Sequence, residues 1–242
     1  MAHDAPAAVA HVRAVTGADQ VHWVGHSMGG MIAYALLQGP LAAEIRSCTA
    51  IASPGLLGHI ERWRPLLRIL RHRHRPIRQM ALAHFGALCA TWMPMGVLEV
   101  TANPRNLSPA ARRDALANLV ANMAGGVVAQ FARWAVEGQV RSGEDGPVGD
   151  RGYDFDEGLA RVTTPTQLLA GTGDLLVPPR AVEHVHARLG AADKRYQLVG
   201  KSAGNAVEEY GHGDITIGDR VEEEVFPQVA EWLEAHDPDT TG

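Results

Sequence analysis

Val21-His22-Trp23-Val24-Gly25-His26-Ser27-Met28-Gly29-Gly30-Met31 decides the reading of this chain. Val21 to Val24 is a short run of β-prone residues that stops at a glycine, and Met28 to Leu37 is a small and apolar stretch long enough for a buried helix. Strand, sharp turn and helix therefore follow one another within a few residues. Between the two elements stands Gly25-His26-Ser27-Met28-Gly29, the G-x-S-x-G spacing in which a serine is held on a strained turn with its hydroxyl exposed. Side chains at Gly25 or Gly29 are expected to crowd the approach of strand and helix, and Gly30 and Met31 read as packing residues. The amide of Met28, at the head of the helix, is the candidate donor to a developing oxyanion.

Working outward, Val9, Val12 and Val15 recur at helical spacing before Gly17, a left-handed stop. Ile45 to Ala52, closed by Ser53-Pro54-Gly55, is a second strand. Thr166 to Ala170, closed by Gly171 and Gly173, is a third, and Tyr196 to Val199 a fourth. Arg180 to Leu189 carries Val182, Val185 and Leu189 on one helical face, and Val221 to Leu233 reads as the closing helix. Alternating strands and helices at both ends predict an α/β fold with a mainly parallel sheet and helices on both faces. From Leu56 to about Gly138 the period is helical throughout: Asn106-Leu107-Ser108-Pro109 starts a helix in which Leu116, Leu119, Val120 and Met123 share a face, and Phe131, Trp134 and Ala135 continue the pattern. Gly143 to Gly152 reads as a loop back to the sheet. The expected organisation is one domain, with core residues 1–55 and 153–242 and a helical cap insertion at about 56–152.

A serine hydroxyl is a weak nucleophile at neutral pH, so its proton needs a histidine to accept it and an acid to hold that imidazole in the right tautomer. Asp174 leaves the end of an apolar strand in Ala170-Gly171-Thr172-Gly173-Asp174, at the carboxyl end of that strand, where open α/β folds place their ligands. Its ordinary alternative is capping the helix that follows Val177-Pro178-Pro179. Of the 12 histidines, His212 alone combines late position, flanking glycines and a post-strand loop, in Tyr210-Gly211-His212-Gly213-Asp214. His59, His72, His74 and His84 fall in the insertion, and His184 and His186 on a helix. Asp214, two residues from His212, reads as ordering the loop through local amides. His26 reads as a rim residue, or one that supports the catalytic side chains, and not as a catalyst.

Val24 to Gly30, Thr164-Pro165-Thr166 leading to Asp174, and Tyr210-Gly211-His212 together resemble the three signature segments of the α/β-hydrolase family. The stretch from His212 through Gly218, Val225 and Trp232 is similar, more weakly, to the ending of acid-lipase-like and polyhydroxyalkanoate-synthase-like members. Those synthases generally use cysteine, so Ser27 tilts the resemblance towards hydrolysis. What it implies is a serine hydrolase cleaving a carboxylic ester through an acyl-enzyme, with Ser27, His212 and Asp174 as catalytic triad and Met28 in the oxyanion site, and no cofactor or metal. An acyltransferase on the same triad and an inactive fragment or interaction protein are the alternatives. Family members normally carry the first strands of the sheet and a His-Gly-type oxyanion loop before the elbow. Here 26 residues precede Ser27, which leads to the expectation of an N-terminally incomplete fold, from a fragment or a late start.

In the insertion, Trp92, Met93 and Met95, with Leu88 and Leu98, are candidates to line an acyl pocket, because methionine adapts to varied apolar shapes; plain cap packing is the alternative. The seven arginines and two histidines from Arg62 to Arg78 fit a solvated helix face better than an anion site. A hydrophobic content of 46% and a net charge of −5 describe an ordinary globular chain and give no reason to expect a nucleic-acid partner, so a small-molecule ester is the expected ligand. Cys48 and Cys89 sit in apolar surroundings without metal-site spacing and read as free thiols. No apolar run is long enough to span a bilayer and the start lacks a secretory pattern, so the chain with Met1 as its true start reads as cytoplasmic.

Overall fold

The computed structural model describes residues 4–57, 64–72, 100–142 and 152–237. Four parallel strands, β1 (Val21–His26), β2 (Ile45–Ile51), β3 (Thr166–Gly171) and β4 (Lys194–Val199), form a sheet in the order β1-β2-β3-β4. Val24 pairs with Thr49, Ala50 with Leu168, and Ala170 with Leu198. Parallel pairing requires a crossover between neighbours, and helices supply each one. Helix α1 (Asp4–Thr16) leads into β1, α2 (Met28–Leu36) joins β1 to β2, and α7 (Pro179–Arg188) joins β3 to β4. Between β2 and β3 the described helices are α3 (Arg64–Leu70), α4 (Pro109–Asn118), α5 (Gly125–Glu137) and the single turn α6 (Phe155–Gly158). After β4 come α8 (Asp214–Ile217), α9 (Val221–Glu224) and α10 (Phe226–Ala235).

Side chains alternate along a strand, and the two faces of β3 show it. Leu168 and Ala170 join Cys48, Ala50, Tyr34, Val182 and Val185 in the core under α2 and α7. Leu169 joins Ile51, Val199, Tyr210, Ile215, Val225 and Val229 in a second core under α8 to α10. Both faces are covered, and β2 and β3 are accordingly buried along almost their whole length, polar residues included. The polar exceptions satisfy one another: Thr49 Oγ1 donates to Gln167 Oε1, and Gln167 Nε2 donates to Gln197 Oε1 and to the carbonyl of Gln228. Cys48 is buried, and its apolar surroundings push the thiol pKa up to about 12.

The fold expected from the residues is present, with four differences of detail. The Val9-Val12-Val15 spacing does form α1, closed by Gly17 at φ 74°, but Val9 alone is buried while Val12 and Val15 are exposed. The helix begun by the Ser108 cap ends at Asn118, so Leu119 and Met123 are exposed and do not extend its face; the chain turns and restarts as α5. The closing helix is two pieces, because Pro227 lacks the N–H needed to continue α9 and instead sits in the first turn of α10. The fourth is at Gly29, where an added Cβ would meet nothing within 4 Å. Residues 143–151 of the expected loop, and residues 62–63 and 73–78 of the arginine run, lie outside the described residues.

Candidate active site

Ser27 occupies the turn between β1 and α2 with φ 53° and ψ −114°, a conformation costly for any residue with a Cβ. Surrounding structure fixes it there. The Ser27 amide donates to the carbonyl of Ile51 at 2.8 Å, and a Cβ at Gly25 would lie 2.5 Å from the carbonyl carbon of Gly29. The glycine that lets α2 approach the sheet is Gly30, where a Cβ would run into the side chain of Ser53; Gly29 faces open space, contrary to the expectation of crowding there. Met28 begins α2, so its N–H has no acceptor within the helix, consistent in position with the oxyanion role expected of it.

The other two candidate residues come to the same place. His212 Nε2 lies 2.8 Å from Ser27 Oγ, and His212 Nδ1 lies 2.9 Å from Asp174 Oδ2. Asp174 is buried at the end of the turn that follows β3, and its other oxygen, Oδ1, accepts from the amides of Leu176 and Val177 at 2.8 and 2.7 Å. It does not cap the following helix, whose N-cap is Pro178: one oxygen orders the turn before it and the other faces the imidazole. Glycines bring the acid turn against the histidine loop. A Cβ at Gly171 would strike the carbonyl of Tyr210, and the Gly173 amide donates to that same carbonyl at 2.8 Å.

His26, read as a rim or supporting residue, lies against the histidine loop. Its Nε2 donates to the carbonyl of His212 at 2.8 Å, and the two rings lie 4.8 Å apart. Burial first, and the neighbouring His212 second, depress its pKa, which keeps the ring neutral. Asp214 holds local amides as expected: both its oxygens accept from the Gly211 N–H at 3.0 Å. It is wholly buried, and that burial raises its pKa against the opposing hydrogen bonds.

Beside α2 runs a cavity of about 350 Å³. Met28, Met31 and Ile32 of α2 line it, as do Phe131 and Trp134 of α5, together with Phe155 and Leu159. Trp92, Met93 and Met95 lie outside the described residues. Among the described residues no group of three His, Cys, Asp or Glu side chains could hold a metal ion, and no helix is long and apolar enough to cross a membrane.

A strained serine between strand and helix, a histidine after the last strand and an aspartate after the strand before it define the α/β-hydrolase class. Within that class, residues 1–202 match the family described as serine aminopeptidase, S33, and the chain belongs to that family. Solved structures agree in fold. A Paleococcus ferrophilus monoacylglycerol lipase superposes with a TM-score of 0.63 at 15% identity, covering 98% of this chain and 76% of that one. A soluble variant of the Saccharomyces cerevisiae monoglyceride lipase gives 0.59 at 16% identity, with 97% and 67% covered. An esterase from Exiguobacterium antarcticum gives 0.56 at 18%, with 92% and 70% covered. No curated protein matches the sequence.

Proposed function

We propose that this protein hydrolyses carboxylic esters with a lipophilic acyl group, through an acyl-enzyme on Ser27. One observation carries the reading: the hydrogen-bonded chain from Asp174 Oδ2 through both nitrogens of His212 to Ser27 Oγ. His212 Nε2 takes the hydroxyl proton as Oγ attacks the ester carbon. The new oxyanion is met by the Met28 amide, and His212 then returns the proton to the departing alcohol. Water repeats the two steps in reverse to release the acid. Asp174 keeps the Nδ1–H tautomer in place and stabilises the imidazolium that forms.

The cavity supports the lipophilic part of the proposal. It begins at Met28, next to the nucleophile, and follows α2 to Leu36, a rise of about 12 Å. Its walls are mainly apolar and its volume falls at the small end of ligand pockets, roughly 300 to 1,000 Å³. Because α5 supplies one wall, we assign the segment at about 56–152 the role of a cap that selects the acyl group. The lipase and esterase neighbours favour an ester over the peptide bond named in the family description.

A series of p-nitrophenyl esters from acetate to palmitate, with matched acyl and aminoacyl anilides, tests this. The proposal expects turnover that vanishes in Ser27→Ala and is faster on medium-length acyl esters than on acetate or on any anilide. Folded protein without Ser27-dependent turnover of any ester overturns it. Interception of the acyl-enzyme by added alcohol or thiol in preference to water would move the activity to acyl transfer.

A further inference from the structure

We infer that the segment from Thr101 to Leu107, acting through Asn106 and Asp214, is a positioning device for His212; the inference rests on the catalytic reading above. Three backbone groups around that histidine are held by three different residues. Before it, the Gly211 N–H donates to Asp214. At the residue itself, the carbonyl accepts from His26 Nε2. After it, the Gly213 N–H donates to the carbonyl of Thr101 at 2.7 Å.

Asp214 is in turn fixed from the same segment. The Asn103 N–H donates to its Oδ1 at 2.8 Å, and Asn106 Nδ2 donates to its Oδ2 at 2.7 Å. Both asparagine side chains also donate to the carbonyl of Glu209, at 2.6 and 2.9 Å, and the Asn106 carbonyl accepts from the Asp219 N–H at 2.8 Å. The seating is tight: a Cβ at Gly211 would lie 2.8 Å from Asp214 Oδ1 and 2.9 Å from the Asn103 nitrogen. Asn106 and Asp214 are both buried, so a donor lost here is not replaced by solvent.

The consequence is geometric. Residues 211–213 are shackled on both sides, and the imidazole between them must keep two hydrogen bonds at once. Release of the Thr101–Leu107 contact lets the loop drift, and a displacement of about 1 Å in such a group costs on the order of 100-fold in rate. Neither asparagine lies in the cavity wall, so substrate binding should be spared. Asn106 and Asp214 are thus positioning residues that act through His212.

The test is Asn106→Ala in the full chain, with Asn103→Ala as the milder change that keeps the backbone N–H bond to Asp214. Asn106→Ala should lower kcat by about 10- to 100-fold with KM within about twofold of wild type. The downfield proton NMR signal of His212 Nδ1–H, shared with Asp174, should weaken or vanish in protein whose circular dichroism is unchanged. Asn103→Ala should move the same readouts in the same direction by about two- to fivefold. A folded Asn106→Ala protein with wild-type kcat and an unaltered signal overturns the inference. If Asn106→Ala fails to fold, Asn103→Ala with wild-type kcat and signal overturns it. Should wild type itself lack Ser27-dependent turnover, the proposed function falls separately, and the NMR comparison still decides the positioning role.

Discussion

His212 Nε2 and Ser27 Oγ are 2.8 Å apart although 185 residues separate them in the chain. Each is placed by its own device, the serine by the strained turn that Gly25 and Gly30 permit, and the histidine by a loop pinned to Asp214, His26 and Thr101. The chemistry proposed here depends on those two placements agreeing to within a fraction of an ångström.

Asp174→Asn should leave the fold intact and lower kcat by about 10,000-fold. The asparagine oxygen can still accept from the Leu176 and Val177 amides, so the turn survives. Its amide, however, can only donate where Asp174 Oδ2 now accepts, which favours the wrong imidazole tautomer. Steady-state kinetics beside a thermal melt checks both halves.

The two glycines after Met28 should respond oppositely to alanine. Gly30→Ala drives a methyl into Ser53 and should destabilise the protein by about 1 to 3 kcal/mol. Gly29→Ala meets nothing within 4 Å and lies inside α2, so its stability should be unchanged or raised by up to about 1 kcal/mol. Urea melts of the two variants decide it.

Filling the cavity should shorten the preferred acyl chain. Ala35 and Val127 line it from opposite helices, and Ala35→Phe or Val127→Phe should cut kcat/KM for a long acyl ester about tenfold or more while changing that for acetate less than about threefold. Equal losses on both esters would argue against the cavity as the acyl site.

Acidification should destabilise the fold before the carboxylates titrate. Burial lowers the pKa of His26, helped by the adjacent His212, and burial likewise lowers those of His22 and His186. The unfolded chain takes up protons near pH 6.5 that the folded chain refuses. The stability these neutral rings confer is therefore present above about pH 6.5 and declines as the pH falls below it towards their folded values. Melting temperatures should drop between pH 7.5 and 5.5, and less so in His26→Gln, whose amide can still donate to the His212 carbonyl.

The elbow, Asp174 and His212 were legible because each is announced by local chemistry: small residues at a sharp turn, strand ends, and glycines beside a functional side chain. Periodicity was enough for the sheet and its crossovers. It failed where a helix ends for reasons that hydrophobic spacing does not carry, as between Leu119 and Met123, or at Phe226-Pro227. Gly29 and Gly30 could not be ranked, since crowding depends on what β2 brings across, here Ser53. Nor did anything near Asn106 point to His212. That side chain meets Asp214 across 108 residues, and a buried amide matched to a buried carboxylate leaves no periodic trace in either segment.

Activation of the Ser27 hydroxyl is read out by covalent labelling. Incubation with a fluorophosphonate followed by peptide mass spectrometry should find one adduct, on Ser27, formed far more slowly in His212→Ala and absent in Ser27→Ala. Folded protein that stays unlabelled, or is labelled at another residue while Ser27 remains free, would mean that Ser27 is not the nucleophile.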